Sequence, residues 1–456
     1  MTGKNPFGLS DGMKEQLAAE LLARHARKKE KKKANARLPK KPVRKSLSGR
    51  NDGIPDEFCR FDKFPNYEEI RVIESGGKQL GIKSPFFKTH DQSAGATTQI
   101  AGQEYINFAS YNYLDLCGHP QVNQAAKDAI DRYGTSASAS RMVSGERAIQ
   151  QELERSLADL YEVDDCVAFV SGHATNVTTI GYLFEKPDLI LHDALVHNSI
   201  LQGIQLSGAR RMSFAHNDWE ALETLLEQHR KDFERVLIVV EGIYSMDGDF
   251  PDLPEFVRIK RQHKAFLMVD EAHSLGVMGA TGKGIREHFG VAGKDVDIWM
   301  GTMSKTLSGC GGYIAGEQAL VHHLRISAPG FLYSVGMSPT LAAAANESLK
   351  LMLAEPERVK QLQANGKRFV GLCQQVGIDT GVAPGFAVIP AILGGSARAG
   401  MVANQMFDRG INVQPIFYPA VEEGMARLRF FISSAHTEEQ LRYTVDALSE
   451  ILAAKK

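Results

Sequence analysis

The sequence predicts an α/β protein: a mostly parallel sheet with helices on both faces, followed by a smaller C-terminal α+β domain. Three observations predict it. Short apolar runs, CVAFVSG (166–172), DLILHD (188–193), RVLIVVEG (235–242), AFLMVDEAHS (265–274) and DIWMGTMSK (297–305), alternate with helical stretches. Strands apolar throughout belong in a sheet covered on both sides. Polar clusters stand directly after these runs, at the strand carboxyl ends where open parallel sheets bind ligands. After about Ala342 the alternation gives way to a long helical stretch, short strands and a last helix.

Residues 1–60 read as a basic extension. LSDGMKEQLAAELLARHARKKEKKK places Met13, Leu17, Leu21 and Leu22 at helical spacing, with Ser10 or Asp11 to cap the helix. From Arg24 to Arg50 the chain is almost uniformly basic, and Pro39 and Pro42 interrupt a stretch too polar to bury. Two readings stay open for this arm: a solvated tail, or a docking element for an acidic carrier protein or an anionic lipid surface. Residues 61–100 lead in, 101–341 form the large domain and 342–456 the small one.

Within the large domain AIQQELERSLADLY (148–161) and NDWEALETLLEQHRKD (217–232) read as helices, the second opening on Asn217 and Glu220 as a capping box. Further on, ANESLKLMLAEPERVKQLQANGKRFVGLCQQ reads as one long helix and FAVIPAIL, INVQPIFY and ARLRFFIS as strands. The final helix opens with Thr437 and Gln440 in capping-box register.

Bulk properties narrow the function classes. The chain has 456 residues, 43% hydrophobic and 23% charged, which is ordinary for a soluble globular protein, and a formal net charge of −1 gives no global case for nucleic acid. The five cysteines are odd in number, widely spread and without a CxxC pair. They point to a reducing compartment and away from a disulfide framework or a metal site. No apolar run approaches the roughly 18 residues of a membrane helix, and the N-terminus lacks a secretory apolar region. A cytoplasmic protein is expected, with the basic arm allowing peripheral association with the inner face of a membrane.

Two clusters carry chemistry. In DEAHSLG (270–276), Asp270 ends a buried apolar strand and needs a cationic partner to offset its desolvation. A protonated pyridine nitrogen would serve, with His273 bonding a phenolic oxygen of the same ring; a helix cap or an arginine pair is the alternative. In GTMSKTLSGCGGY (301–313), Lys305 follows another buried strand among hydroxyls and glycines. Thr302 and Ser304 suit a phosphate, and Gly309, Gly311 and Gly312 allow close backbone approach. A desolvated lysine has a lowered amine pKa, which suits it to bond an aldehyde and then act as a base. The GxxxxGK[ST] spacing of a nucleotide phosphate loop is absent.

SGHATN, HDALVHNSI, EGIYSMDGD, DEAHS, GTMSK and ARLRFFISSAHT occur in the order and approximate spacing of the α-oxoamine synthases, which are fold-type I pyridoxal-phosphate enzymes. The chain resembles that family over roughly residues 65–452. The resemblance implies pyridoxal 5'-phosphate as cofactor, with Lys305 as the lysine bonded to it and Asp270 as the partner of its ring nitrogen. His197 matches the histidine stacked on the ring, and Gly172, His173 and Ala174 the turn whose amides meet the phosphate, although His173 replaces the aromatic residue common in relatives. Ser245 matches a serine near the ring oxygen. Arg429 matches the arginine that grips the substrate carboxylate, with Asn112 near the same group; Arg427, in the same phrase, reads as an exposed strand charge. Ser334 falls where a neighbouring subunit completes the phosphate site, which implies a homodimer.

The implied reaction is a decarboxylative condensation of an amino acid with an acyl thioester, giving an α-amino ketone. Lys305 would remove the α-proton, and His273 would help activate the thioester carbonyl. Serine is the first expectation for the amino acid, then alanine and glycine; Ser136, Ala137, Ser138 and Ala139 stand where glycine-using relatives are richer in glycine, and Val421-Glu422-Glu423 departs from the serine palmitoyltransferase pattern. A long-chain acyl group on an acyl carrier protein or on coenzyme A is expected as the second substrate. Another α-oxoamine synthase, similar to the 8-amino-7-oxononanoate synthases, or an aminotransferase is the enzymatic alternative, and a silent partner subunit the non-enzymatic one.

Overall fold

The computed structural model describes residues 54–454. The basic arm and its expected amphipathic helix lie outside the described residues. The strands are β1 (Thr97–Ile100), β2 (Gln103–Asn107), β3 (Asp165–Phe169), β4 (Leu189–Asp193), β5 (Arg210–Phe214), β6 (Val236–Glu241) and β7 (Phe266–Asp270). They continue with β8 (Ile298–Thr302), β9 (Gly312–Gly316), β10 (Val388–Gly394), β11 (Ile411–Asn412), β12 (Gln414–Ile416) and β13 (Ala426–Phe431). Each of the five apolar runs contains one strand, β3, β4, β6, β7 or β8.

The main sheet has seven strands in the order β3-β9-β8-β7-β6-β4-β5. All neighbours run parallel except β9, which is antiparallel to both β3 and β8. Every residue of β4, β6 and β8 is buried, as continuous apolar runs require. One core cluster joins Val167, Ile190, Leu237, Met268, Ile298 and Ile314 across the sheet to Ile180, Ile200 and Ile204 on the covering helices. Two three-stranded sheets, β1-β2-β11 and β10-β13-β12, complete the strand set among the described residues.

The chain divides into two compact units. The smaller contains the described residues up to Lys88, Leu393–Asp408 and Gln414–Leu428; the larger contains Thr89–Ile392, Arg409–Val413 and the chain from Arg429 onward. Within the smaller unit the Asn404 amide clamps Lys83, accepting from its N–H at 2.8 Å and donating to its carbonyl at 3.0 Å. Lys88 Nζ lies 3.7 Å from the centre of the Phe407 ring. Among the described residues no helix is long and apolar enough to cross a membrane.

Local signals held in part. Thr437 and Gln440 form the expected capping box, and the helix Ala148–Tyr161 has the expected bounds. The pairing of Asn217 with Glu220 is corrected: Asp218 caps the helix Trp219–His229 by accepting from Ala221 N at 2.8 Å. Asn217 instead takes a left-handed backbone, φ 57°, and donates to Asp249 Oδ2 at 2.9 Å. The expected single long helix is two, Pro339–Ala354 and Glu357–Gln375, because Pro356 cannot donate within a helix and disfavours helical backbone at Glu355. Arg427, read as exposed, is 3% exposed and donates to Met425 O at 3.0 Å.

Candidate active site

The carboxyl edge of the main sheet gathers the polar clusters. Asp270 is the last residue of β7 and is 4% exposed. Its Oδ1 accepts from Ala272 N at 3.0 Å and its Oδ2 from Asn176 Nδ2 at 2.9 Å. Beside it in register, Glu241 ends β6, and its Oε1 accepts from His197 N at 2.5 Å. Burial first, and the Asp270 charge second, push the Glu241 carboxyl well above the usual carboxylate range. Glu241 is therefore held in its neutral form.

Lys305 follows β8, and its Nζ lies 5.5 Å from the centre of the Tyr111 ring. Burial, helped by the charge of Arg429 and opposed by Asp270 and Glu241, lowers its amine to about 8. A cavity of about 310 Å³ adjoins it, lined by Asn107, Ser110, Tyr111, Asn112 and Ser304 among others. His273 is buried, and its Nδ1 lies 2.7 Å from the hydroxyl of Tyr113, a residue the sequence reading missed. Burial first, then the charges of Lys305 and Arg429, press the His273 imidazole well below its ordinary value and hold it neutral.

His197 caps the helix Asn198–Ser207, and its exposed ring lies 6.4 Å from that of His173. Gly172, His173 and Ala174 form the first turn of the helix Gly172–Leu183, capped by Ser171. A helix start with open amides attracts an anion. Thr302 closes on this turn: its Oγ1 donates to Gly311 O at 3.0 Å and lies 2.8 Å from Ser304 Oγ. A Cβ on Gly172 would come 2.7 Å from Thr302 Oγ1, so only glycine fits there.

Arg429, on β13, donates to Ser245 O at 3.0 Å and stacks 4.6 Å from the centre of the Phe431 ring. Asn112 is committed to its own loop: Oδ1 accepts from Cys117 N at 3.0 Å and Nδ2 donates to Asp115 Oδ1 at 3.3 Å. It shapes the cavity wall with little left to offer a ligand. Ser334 donates to Gly330 O at 2.7 Å.

The segment bearing Ser245 is fastened by a residue that sequence reasoning missed. His216 Nδ1 lies 2.8 Å from Asp193 Oδ1 and Nε2 2.8 Å from Asp249 Oδ2. Burial opposes a charge on this imidazole, but the two carboxylates overcome it and raise His216 to about 10. A raised folded value means that this contribution to stability is complete below the unfolded value of 6.5 and is lost as pH rises through about 10. His216→Ala is expected to cost about 3–5 kcal/mol at pH 6, because it strands two carboxylates. Urea unfolding at pH 6 and pH 10 checks both statements: the gap between wild type and variant should shrink at the higher pH.

The residues fit pyridoxal phosphate. An amine of lowered pKa, a hydrogen-bonded carboxylate at a strand end, an exposed imidazole and a helix start with two hydroxyls would suit the aldehyde, ring nitrogen, ring face and phosphate in turn. Comparison with known proteins agrees. The profile of aminotransferase class I and II matches residues 103–448. The 8-amino-7-oxononanoate synthase of Fervidobacterium nodosum is 36% identical over 387 residues, covering 84% of this chain and 96% of the relative. That of Thermosipho melanesiensis is 37% identical over 80% of this chain and 93% of the relative. Among solved structures, serine palmitoyltransferase from S. paucimobilis superposes with a TM-score of 0.82 at 27% identity, covering 86% of this chain and 98% of that one. The 8-amino-7-oxononanoate synthase of Francisella tularensis gives a TM-score of 0.67 at 25% identity, covering 77% of this chain and 98% of that one. The chain belongs to the α-oxoamine synthases, the pyridoxal-phosphate-dependent acyltransferases of fold type I.

Proposed function

We propose that the protein condenses a small L-amino acid with an acyl thioester, releasing carbon dioxide and the thiol and giving an α-amino ketone. The convergence of Lys305, Asp270, His197, His273 and Arg429 carries this reading: the charges of Lys305 and Arg429 act on both His197 and His273, and that of Asp270 on both His197 and Lys305. When bound, pyridoxal phosphate supplies an electron sink for the bonds around the amino acid α-carbon. Asp270 would hold the ring nitrogen and His197 would cover a ring face. Gly172, His173, Ala174, Thr302 and Ser304 hold the phosphate, with Ser334 of a second copy completing that site in a homodimer. Ser245 sits near the ring oxygen.

Arg429 grips the substrate carboxylate and orients the α-hydrogen toward Lys305. Lys305 Nζ, brought within reach of its free-amine form because burial has lowered its pKa to about 8, takes that proton as the free amine and later returns it. The neutral His273 stands beside Lys305 to hydrogen-bond the thioester carbonyl. Neither carboxylate at the strand ends moves a proton.

For the amino acid, the relatives shift the order expected from sequence. The name 8-amino-7-oxononanoate describes a chain whose penultimate carbon bears the amino group and whose last is a methyl, the fragment alanine leaves on losing its carboxylate. At 36% identity this puts alanine first. Serine is the second reading, favoured by the likeness to serine palmitoyltransferase. The carrier of the acyl group is coenzyme A or an acyl carrier protein, the latter matched by the basic arm. Product mass spectrometry with alanine, serine and glycine in competition, and long-chain and ω-carboxy acyl thioesters on both carriers, is the test. An amino ketone retaining the alanine methyl is expected. Amino-group exchange with a keto acid, without a new carbon–carbon bond, would move the protein to the aminotransferases.

A further inference from the structure

Two fully buried side chains that the reaction does not touch join two that it does. Asn176 and Ser199 are each 1% exposed. Asn176 lies on the helix Gly172–Leu183 and Ser199 on the helix Asn198–Ser207. Gly203 lets the two helices meet closely: a Cβ there would stand 2.8 Å from Asn176 O. Asn176 Nδ2 donates to Asp270 Oδ2 and to Ser199 Oγ, both at 2.9 Å. Ser199 Oγ lies 2.7 Å from His197 Nδ1, and Ser199 N donates to the same nitrogen at 3.2 Å.

The proton on every link follows from chemistry. A backbone N–H can only donate, so His197 Nδ1 presents its lone pair. The Ser199 hydroxyl, already accepting from Asn176, donates to Nδ1 as well. The Asn176 amide cannot turn over, since its oxygen would then face the Asp270 carboxylate; instead Oδ1 stays buried without a hydrogen-bond partner. We propose that Asn176 and Ser199 are positioning residues that tie Asp270 to His197 and hold the His197 imidazole neutral, with its proton on Nε2.

The proposal rests on the roles given above to Asp270 and His197. A charged His197 would set a cation against a protonated cofactor ring and oppose the pairing that Asp270 provides. Two donors converging on Nδ1 leave no room for a third proton there, so the relay keeps the stacking ring uncharged. Although His197 is exposed in part, desolvation by the protein packed around the imidazole comes first; opposed by Asp270 and reinforced by the charges of Lys305 and Arg429, it lowers the His197 value in the same sense.

The test is nitrogen-15 NMR of the holoenzyme labelled in histidine, with the His197 signals assigned by their loss in His197→Gln. The native enzyme should show an unprotonated Nδ1 and a protonated Nε2 at neutral pH. Ser199→Ala removes the hydroxyl donor, and Asn176→Asp draws that hydroxyl proton toward its new carboxylate. Both should move population to the other tautomer or the imidazolium and lower kcat/KM roughly tenfold, the scale of one hydrogen bond, at unchanged cofactor content. Ser199→Thr, which keeps the hydroxyl, should restore the native pattern. A protonated Nδ1 in the native enzyme overturns the proposal without any variant having to fold, and a native tautomer in both variants overturns it too. Turnover unaltered in His197→Ala would instead remove the stacking role, an outcome separate from the tautomer measured.

Discussion

Lys305→Ala is expected to yield a folded protein that makes no product, with turnover down by roughly 10³-fold or more and the visible absorption of bound cofactor changed. Two losses would coincide, because in the proposed mechanism one side chain both bonds the cofactor aldehyde and moves the α-proton. The fold should not suffer. Lys305 falls from 10.5 in the unfolded chain to about 8 in the fold, so its charged form is disfavoured by folding. Between those values the unfolded chain holds a proton that the folded one does not, and stability rises with pH through that window. Below it the folded protein bears a poorly solvated ammonium that alanine lacks. Apo-protein melts at pH 7 should place Lys305→Ala at or above wild type. Steady-state turnover with the preferred substrate pair completes the check, and retained turnover in the variant would end the assignment of Lys305 as base.

The features legible in the sequence were those that announce themselves locally. Buried, largely apolar runs gave β4, β6 and β8, and polar residues at the ends of β7 and β8 gave Asp270, His273 and Lys305. β9 was not legible because it reads GYIAG, with glycines at both ends and little strand propensity, and forms because β3 and β8 flank it. β5 carries exposed arginines and pairs only with β4 at the sheet edge, so it lacked the apolar signal. The missed site residues share another cause. Asn176 stands 94 residues before the carboxylate it orients, and Tyr113 stands 160 before the imidazole it meets. Asn176 closes the SGHATN phrase, yet nothing local says which carboxylate it meets, and nothing around Tyr113 points to an imidazole so far along the chain. His216 was likewise invisible until the fold placed Asp193 and Asp249 on either side of it.

Asp270→Asn should lower kcat by roughly 10²–10³-fold while Glu241→Gln leaves most of it, although the two carboxyls are cross-strand neighbours at the same sheet edge. The difference comes from their charge. Glu241, 3% exposed and beside Asp270, is held in its neutral form, so an amide of the same shape changes no charge and still accepts from His197 N. Asp270 accepts from two donors, Ala272 N and the Asn176 amide, and in the proposed role its charge would keep the opposing ring nitrogen protonated. An amide at 270 keeps the shape and loses the attraction, so cofactor binds with its electron sink weakened. Removing the Asp270 charge should also draw the Glu241 carboxyl back toward its ordinary range, since that charge is the second cause of its rise. Infrared difference spectra of the carboxyl stretch on titration would follow Glu241 directly in both proteins. Equal losses in the two variants would mean that the negative charge is shared between the carboxyls, and that Asp270 does not hold it alone.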